Sequence, residues 1–151
     1  MDYQINKGVF EMIPKFRAWD NDDEYMEYTD NNLVVSFSDE GVDVTDHTTF
    51  GHSCTAMEDF ELMQSTGLKD KNGTEIYEGD IVKVLIKDEE PKIMKDKTYI
   101  GVVVYNLGMF DIKDLKNTYL GIMPQMYMSD INCVFEILGN KHQHPELLED
   151  N

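Results

Sequence analysis

Four histidines and two cysteines are the side chains whose chemistry could build a site in this chain. His142 and His144 stand two apart. On a strand both imidazoles would share a face and could hold a metal, with His52, Cys54 or Glu146 as a third ligand. No spacing requires that set, and a polar tail accounts for the residues equally well, so no metal site is expected. Ser53-Cys54 beside His52 names a nucleophile and a base. A thiolate nucleophile also needs an activating neighbour and a third, orienting group, and neither is written in the sequence. Thirty acidic side chains offer many nominal acid–base pairs, but no spacing singles one out. Asp20-Asn21-Asp22-Asp23-Glu24 resembles the start of a calcium loop. An EF-hand needs Gly sixth and Glu twelfth, where this chain has Tyr25 and Asn31. No glycine-rich phosphate loop occurs. The expectation is a chain with no catalytic residues, no metal and no cofactor, and hence not an enzyme.

Charge narrows the partners. The chain of 151 residues carries a formal net charge of −17. Residues 1–66 hold 3 basic and 15 acidic side chains, while 67–151 hold 10 and 15. Such a field repels nucleic-acid phosphates and anionic membranes. Only Lys83, Lys87, Lys92, Lys95 and Lys97 cluster enough to make a basic face, so nucleic acid is not an expected partner. No run of about 18 apolar residues is present to span a membrane, and the first residues lack the apolar stretch of a signal peptide. Cys54 and Cys133 read as buried, reduced thiols of a cytoplasmic protein.

The elements that would position these residues are strands. Residues 1–12 are expected to be a flexible leader. Ile13 to Trp19 reads as a strand, with Pro14 at its start or on a sheet edge. Tyr25-Met26-Glu27-Tyr28 is its return partner across an acidic turn. Leu33–Phe37 and Val42–Val44 form a hairpin around Asp39-Glu40-Gly41. Thr45 to Thr55 reads as a polar loop, and a strand starts at Phe60. Asn72-Gly73 is a strong signal for a tight hairpin turn of the primed type, because both residues tolerate positive φ. Gly79-Asp80 makes a second turn before the β-branched run Ile81–Ile86. Lys87–Lys97 is a charged loop, Thr98–Tyr105 a strand in which Gly101 marks a bulge or a close approach, and Met109–Lys113 another strand. Asp114 to Asp130 reads as irregular, with Met123, Met126, Tyr127 and Met128 as a contact cluster or a cap on the core. Cys133–Leu138 is the final strand, and His144–Leu148 a short helical turn with Pro145 at its first position. The fold class expected is mainly β: a leader, an acidic N-terminal β-rich subdomain over 13–61, and an SH3-like barrel portion over 62–151.

Several of these stretches resemble a known family. Phe16-Arg17-Ala18-Trp19-Asp20, Leu62-Met63-Gln64, Thr66-Gly67-Leu68, Asp70 with Asn72-Gly73, and Ile76-Tyr77-Glu78-Gly79-Asp80-Ile81-Val82 look like the YopX family of phage and prophage proteins. Glu136-Ile137-Leu138-Gly139-Asn140 and Pro145-Glu146-Leu147-Leu148 resemble its C-terminal pattern, so the likeness covers about residues 12 to 148. It implies a mostly β protein with an SH3-like portion, a tendency to self-associate, a bacterial host cytoplasm, and no established activity or catalytic residues. The function expected is protein–protein contact in a homo-oligomer or with an unidentified host or phage protein. Trp19 beside Arg17 is the candidate anchor, and Tyr77, Glu78 and Asp80 are further interaction candidates. The alternative is an acidic decoy that imitates DNA charge and blocks a host DNA-binding protein. A metal-dependent enzyme built on the histidines is the remaining reading.

Overall fold

The computed structural model describes residues 13–47, 54–87, 97–124 and 132–149. The expected leader, His52 and Ser53, nearly all of the Lys-rich loop, and Met126, Tyr127 and Met128 lie outside the described residues. The chain is mainly β with curled sheets. It divides into two compact units, residues 1–64 and 65–151. The division falls inside a strand rather than in a linker.

Unit 1 contains β1 (Phe16–Asp20), β2 (Tyr25–Tyr28), β3 (Leu33–Ser38), β4 (Gly41–Asp46) and β5 (Thr55–Ala56), with the first half of β6 (Phe60–Lys69). β1 runs antiparallel between β2 and β6, with Ala18 opposite both Glu27 and Leu62. β1 is paired on both edges and buried on both faces: Arg17, Ala18, Trp19 and Asp20 are all buried. The second sheet has the order β3-β4-β5. The polar loop expected from Thr45 begins two residues later, because Thr45 pairs with Ala56 and Asp46 with Thr55. Ala18, Leu33, Val44 and Met57 form the core of this unit, backed by Tyr25, Val35, Phe60 and Leu62.

Unit 2 holds the second half of β6, β7 (Glu75–Tyr77), β8 (Asp80–Lys87), β9 (Lys97–Asn106), β10 (Met109–Asp114) and β11 (Asn132–Asn140). Its sheet is antiparallel in the order β10-β9-β8-β11. Val82 and Val84 of β8, Val103 of β9, Ile112 of β10 and Phe135 of β11 meet Ile76, Ile122 and Met123 in a single apolar core. Gly101 allows the close approach expected of it. It pairs with Asp114, and a Cβ there would stand 2.5 Å from the Lys113 carbonyl oxygen and 2.7 Å from Ile112 Cγ2. A 3₁₀ turn, Pro145–Leu148, follows β11 with Pro145 at its start.

The turn at Asn72-Gly73 is wider than the tight primed type the sequence suggests. β6 ends at Lys69 and β7 begins at Glu75, and of the two central residues Gly73 alone takes positive φ, +82°. Asp70 reorganises the turn. Its side chain accepts two backbone N–H groups, as aspartates at turn starts commonly do, and the loop widens to Asp70–Thr74 with Gly73 at the left-handed position. The two-residue turn with positive φ at both positions occurs instead at Leu107-Gly108, φ 52° and 80°, between the paired Asn106 and Met109.

Candidate functional site

Asp70 organises the stretch that sets this sequence apart. Its Oδ1 accepts the N–H of Asn72 at 2.9 Å and of Thr74 at 3.0 Å, and its Oδ2 accepts that of Ile137 on β11 at 3.1 Å. Burial alone would raise its pKa, but the three N–H donors, Ile137, Thr74 and Asn72, outweigh that and hold the carboxyl below its ordinary 3.8. Lys71 adds a main-chain bond to the Phe135 carbonyl at 2.8 Å and an ion pair with Glu136 at 2.9 Å. The turn is therefore clamped to the last strand, 67 residues away. A second copy of the same turn stands at Asp114–Thr118, where the Asp114 Oδ1 accepts Lys116 N–H at 2.9 Å and Thr118 N–H at 2.8 Å. There Asn117 supplies the positive φ, 63°. The sequence reads as irregular over this segment; the shared pattern Asp-x-x-Gly/Asn-Thr is the signal that could have found it.

The interaction candidates lie mostly inside the chain. Tyr77 and Asp80 are 3% exposed, and the Asp80 carboxylate accepts the Tyr77 N–H at 2.8 Å, closing the turn into β8. Glu78 between them is half-buried. Arg17 is buried, donates to the Tyr28 hydroxyl at 3.4 Å and lies over that ring. Trp19 is buried as well. Burial of four of the five leaves little of them for a partner to touch.

The polar clusters resolve into turn and packing chemistry. The Asp20 carboxylate accepts the N–H groups of Asp22 and Asp23 at 2.8 and 3.1 Å, so the acidic run is a side-chain-capped turn. Desolvation, then repulsion from Asp20, Asp59, Glu58 and Asp23, raises the Asp22 carboxyl. Tyr25 donates to Asp46 Oδ2 at 2.6 Å; desolvation first, then that bond and the carboxylate charges, pushes its pKa well above its ordinary value. His142 and His144 stand in the turn after β11 rather than along a strand, and His144 Nδ1 accepts the Asn140 N–H at 3.1 Å. That bond requires the proton to be on Nε2. Among the described residues no group of three or more His, Cys, Asp or Glu side chains is arranged to hold a metal ion.

Cys54 does have an imidazole neighbour, although not the one its sequence position suggests. Its Sγ lies 3.1 Å from Nδ1 of His47. The β4–β5 register explains the contact: Asp46 faces Thr55, and the next pair outward is His47 and Cys54. The same position corrects the expectation of a buried thiol, because a residue just outside a two-residue edge strand is left exposed. So short a strand leaves almost no sequence signal, and only the fold brings the pair together. A thiol–imidazole contact is two members of a catalytic triad, which also needs a third, orienting group.

Two exposed apolar surfaces remain. On unit 1 a groove of about 380 Å³ is lined by Pro14 and Phe16 on one side and Leu33, Val34, Val35 and Phe37 on the other. Phe37 is 60% exposed and Val34 50%, and the Phe16 and Phe37 rings pack at 5.5 Å. On unit 2 the tip of the β9–β10 hairpin presents Leu107, almost wholly exposed, flanked by Tyr105 and Met109. Sequence reasoning misses both surfaces: Val34 and Phe37 fit a strand pattern and read as core, and Leu107 falls in a turn between two strands, where nothing in the sequence marks it.

The comparisons with known proteins bear on the whole chain. Protein EF1440 from Enterococcus faecalis has a similar crystal structure, with 26% identity and a TM-score of 0.50, over 91% of this chain and 99% of that one. Protein yopX from Bacillus subtilis is similar with 23% identity and a TM-score of 0.59, over 89% and 98%; at that identity the likeness speaks for the fold alone. No match was found among curated proteins. A family model described as YopX protein matches residues 15–149, nearly the whole length. The chain belongs to the YopX family.

Proposed function

We propose that this chain is a non-enzymatic phage or prophage protein of the bacterial cytoplasm that works by protein–protein contact and self-associates. The observation that carries the reading is Leu107. A side chain with φ 52° pays a steric cost of roughly 1–2 kcal/mol that Gly would avoid. Its 90% exposure forgoes a burial gain of about 2 kcal/mol. Nothing in the turn needs a leucine there, and an interface that covers it offsets both losses. The tip, Tyr105 to Phe110, has no charged residue, so a second copy meets less of the −17 repulsion there than on unit 1.

Light scattering at micromolar concentration tests this. The expected mass exceeds one chain, and Leu107→Gly lowers it while raising thermal stability, because Gly relieves the strain. A wild-type mass equal to one chain sinks the self-association.

A second reading, the acidic decoy for a host DNA-binding protein, is favoured by the 15 acidic and 3 basic side chains of residues 1–64. Charge mimicry fails as an idea if host partners stay bound at about 0.5 M salt, where surface charges are screened.

A further inference from the structure

We infer that the groove on unit 1 takes an extended peptide segment of another protein in which apolar and basic residues alternate, added as a strand along β3. Three observations converge. Leu33, Val34 and Val35 are consecutive in β3 yet all line the groove. Consecutive residues point to opposite faces of a strand, so the groove runs along the strand's edge rather than over one face. That edge is open: β3 has β4 on one side and no strand of the described residues on the other. An open edge presents unpaired N–H and C=O groups to an incoming strand. The facing wall offers no competing ladder at Phe16, whose N–H is given to Thr29 Oγ1 at 3.0 Å and whose carbonyl accepts the Thr29 N–H at 2.9 Å.

The charge around the groove selects the partner. Asp39 and Glu40 at the β3–β4 turn and Asp43, which faces Ser36 of β3, are exposed. Against them the described residues of unit 1 place one basic side chain at the surface, Lys15; Arg17 is buried. A second copy of this chain would bring more negative charge to the same place. A cationic strand brings the complement, with alternate apolar side chains entering beside Phe16 on the Phe37 face and the basic ones between them on the opposite face, which Val34 and Ser36 share with Asp43. The volume, about 380 Å³, suits a few such side chains. The groove is lined by unit 1 residues alone, and the proposal does not depend on self-association through the hairpin tip of unit 2.

The test is a fluorescence-anisotropy titration of the full chain against three labelled synthetic peptides of about ten residues. One alternates Leu and Lys, one has the same composition with the lysines in a block, and one alternates Leu and Glu. The alternating Leu/Lys peptide is expected to bind at least about tenfold tighter than either control and to weaken as salt rises. Phe37→Ser with Val34→Ser removes apolar contact without changing charge, at positions exposed enough to leave the fold intact by circular dichroism. It should weaken that peptide about tenfold. Equal binding of the blocked peptide reduces the attraction to bare charge and overturns the proposal, as does unchanged binding to the double variant. Loss of self-association in the double variant, with no peptide binding to wild type, would assign the groove to a second copy instead.

Discussion

Residues 1–64 and 65–151 carry the same number of acidic side chains, 15 each, but the first unit sets 3 basic ones against them and the second sets 10. The interiors differ in the same direction. Unit 1 closes around Ala18, Leu33, Val44 and Met57, with buried polar groups such as Arg17, Glu27 and Asp46 beside them. Unit 2 packs eight apolar side chains, drawn from five strands and from Ile122-Met123, into one core, and its turns are tied by carboxylates to distant backbone. Apolar burial grows with the size of the core, so unit 2 should be the stable platform. Unit 1 should be the more easily unfolded unit, and it carries the groove. The family likeness runs through both units, so the contrast belongs to one protein rather than to a stable domain with an unrelated appendage.

The contrast is best broken at Gly101. Any β-branched side chain there meets the Lys113 carbonyl and Ile112, and Gly101→Val should cost unit 2 about 3 kcal/mol or more. Trp19, the sole tryptophan, reports on unit 1. In urea the far-UV circular dichroism transition should move to lower denaturant while the Trp19 fluorescence transition stays in place. If both move together, the two units unfold as one cooperative body and the comparison fails.

The two aspartate turns sharpen it within unit 2. Asp70→Ala removes three charge-assisted bonds, one of them to β11, and should cost about 3 kcal/mol; Asp114→Ala removes two local bonds at an exposed turn and should cost about 1 kcal/mol. The Asp70 carboxyl is held below 3.8 in the folded chain. Its contribution is therefore complete above that unfolded value and is lost as pH falls through the folded one. Between about pH 5 and pH 2 the wild-type urea midpoint should drop further than that of Asp70→Asn. Equal acid sensitivity in the two proteins would remove Asp70 from the clamp.

Much of the fold is legible in the sequence wherever backbone geometry restricts residue choice. Gly73 has to allow positive φ, Pro145 begins a turn, Gly101 permits close approach, and Leu33–Phe37 and Val42–Val44 form a hairpin around Asp39-Glu40-Gly41. What is not legible depends on residues that break those preferences or meet only across the fold. Leu107 takes a left-handed conformation that leucine disfavours, so its turn looks ordinary in the sequence. Asp114–Thr118 repeats the Asp70 turn with Asn in place of Gly, and without the first copy's geometry the repeat has no meaning. Tyr77 and Asp80 flank a Gly-containing turn, and the sequence leaves open whether they face solvent, a second subunit or the first segment; in the fold both are buried, with the turn closed by the Tyr77 N–H to Asp80 bond. The groove escapes the sequence for a different reason: its apolar residues fit a strand pattern, and only the sheet order shows that β3 has an open edge.

The two cysteines carry the comparison down to single atoms, one in each unit. Cys133 lies on β11 against the unit 2 core, half-buried, and burial pushes its thiol pKa up. Cys54 is exposed just before β5 with His47 Nδ1 at 3.1 Å. The thiolate is the reacting form. A packed, desolvated thiol therefore reacts slowly, and an exposed one beside an imidazole that can take its proton reacts faster. With iodoacetamide near neutral pH, Cys54 should be alkylated at least about tenfold faster than Cys133 in the folded chain, and at a similar rate once urea has unfolded it. His47→Ala should slow Cys54 by about threefold and leave Cys133 unchanged, because the imidazole acts on one thiol only. A general loosening of unit 1 would instead quicken Cys54 labelling in the variant, and a rate unmoved by His47→Ala would reduce the pair to a chance contact of β-strand register.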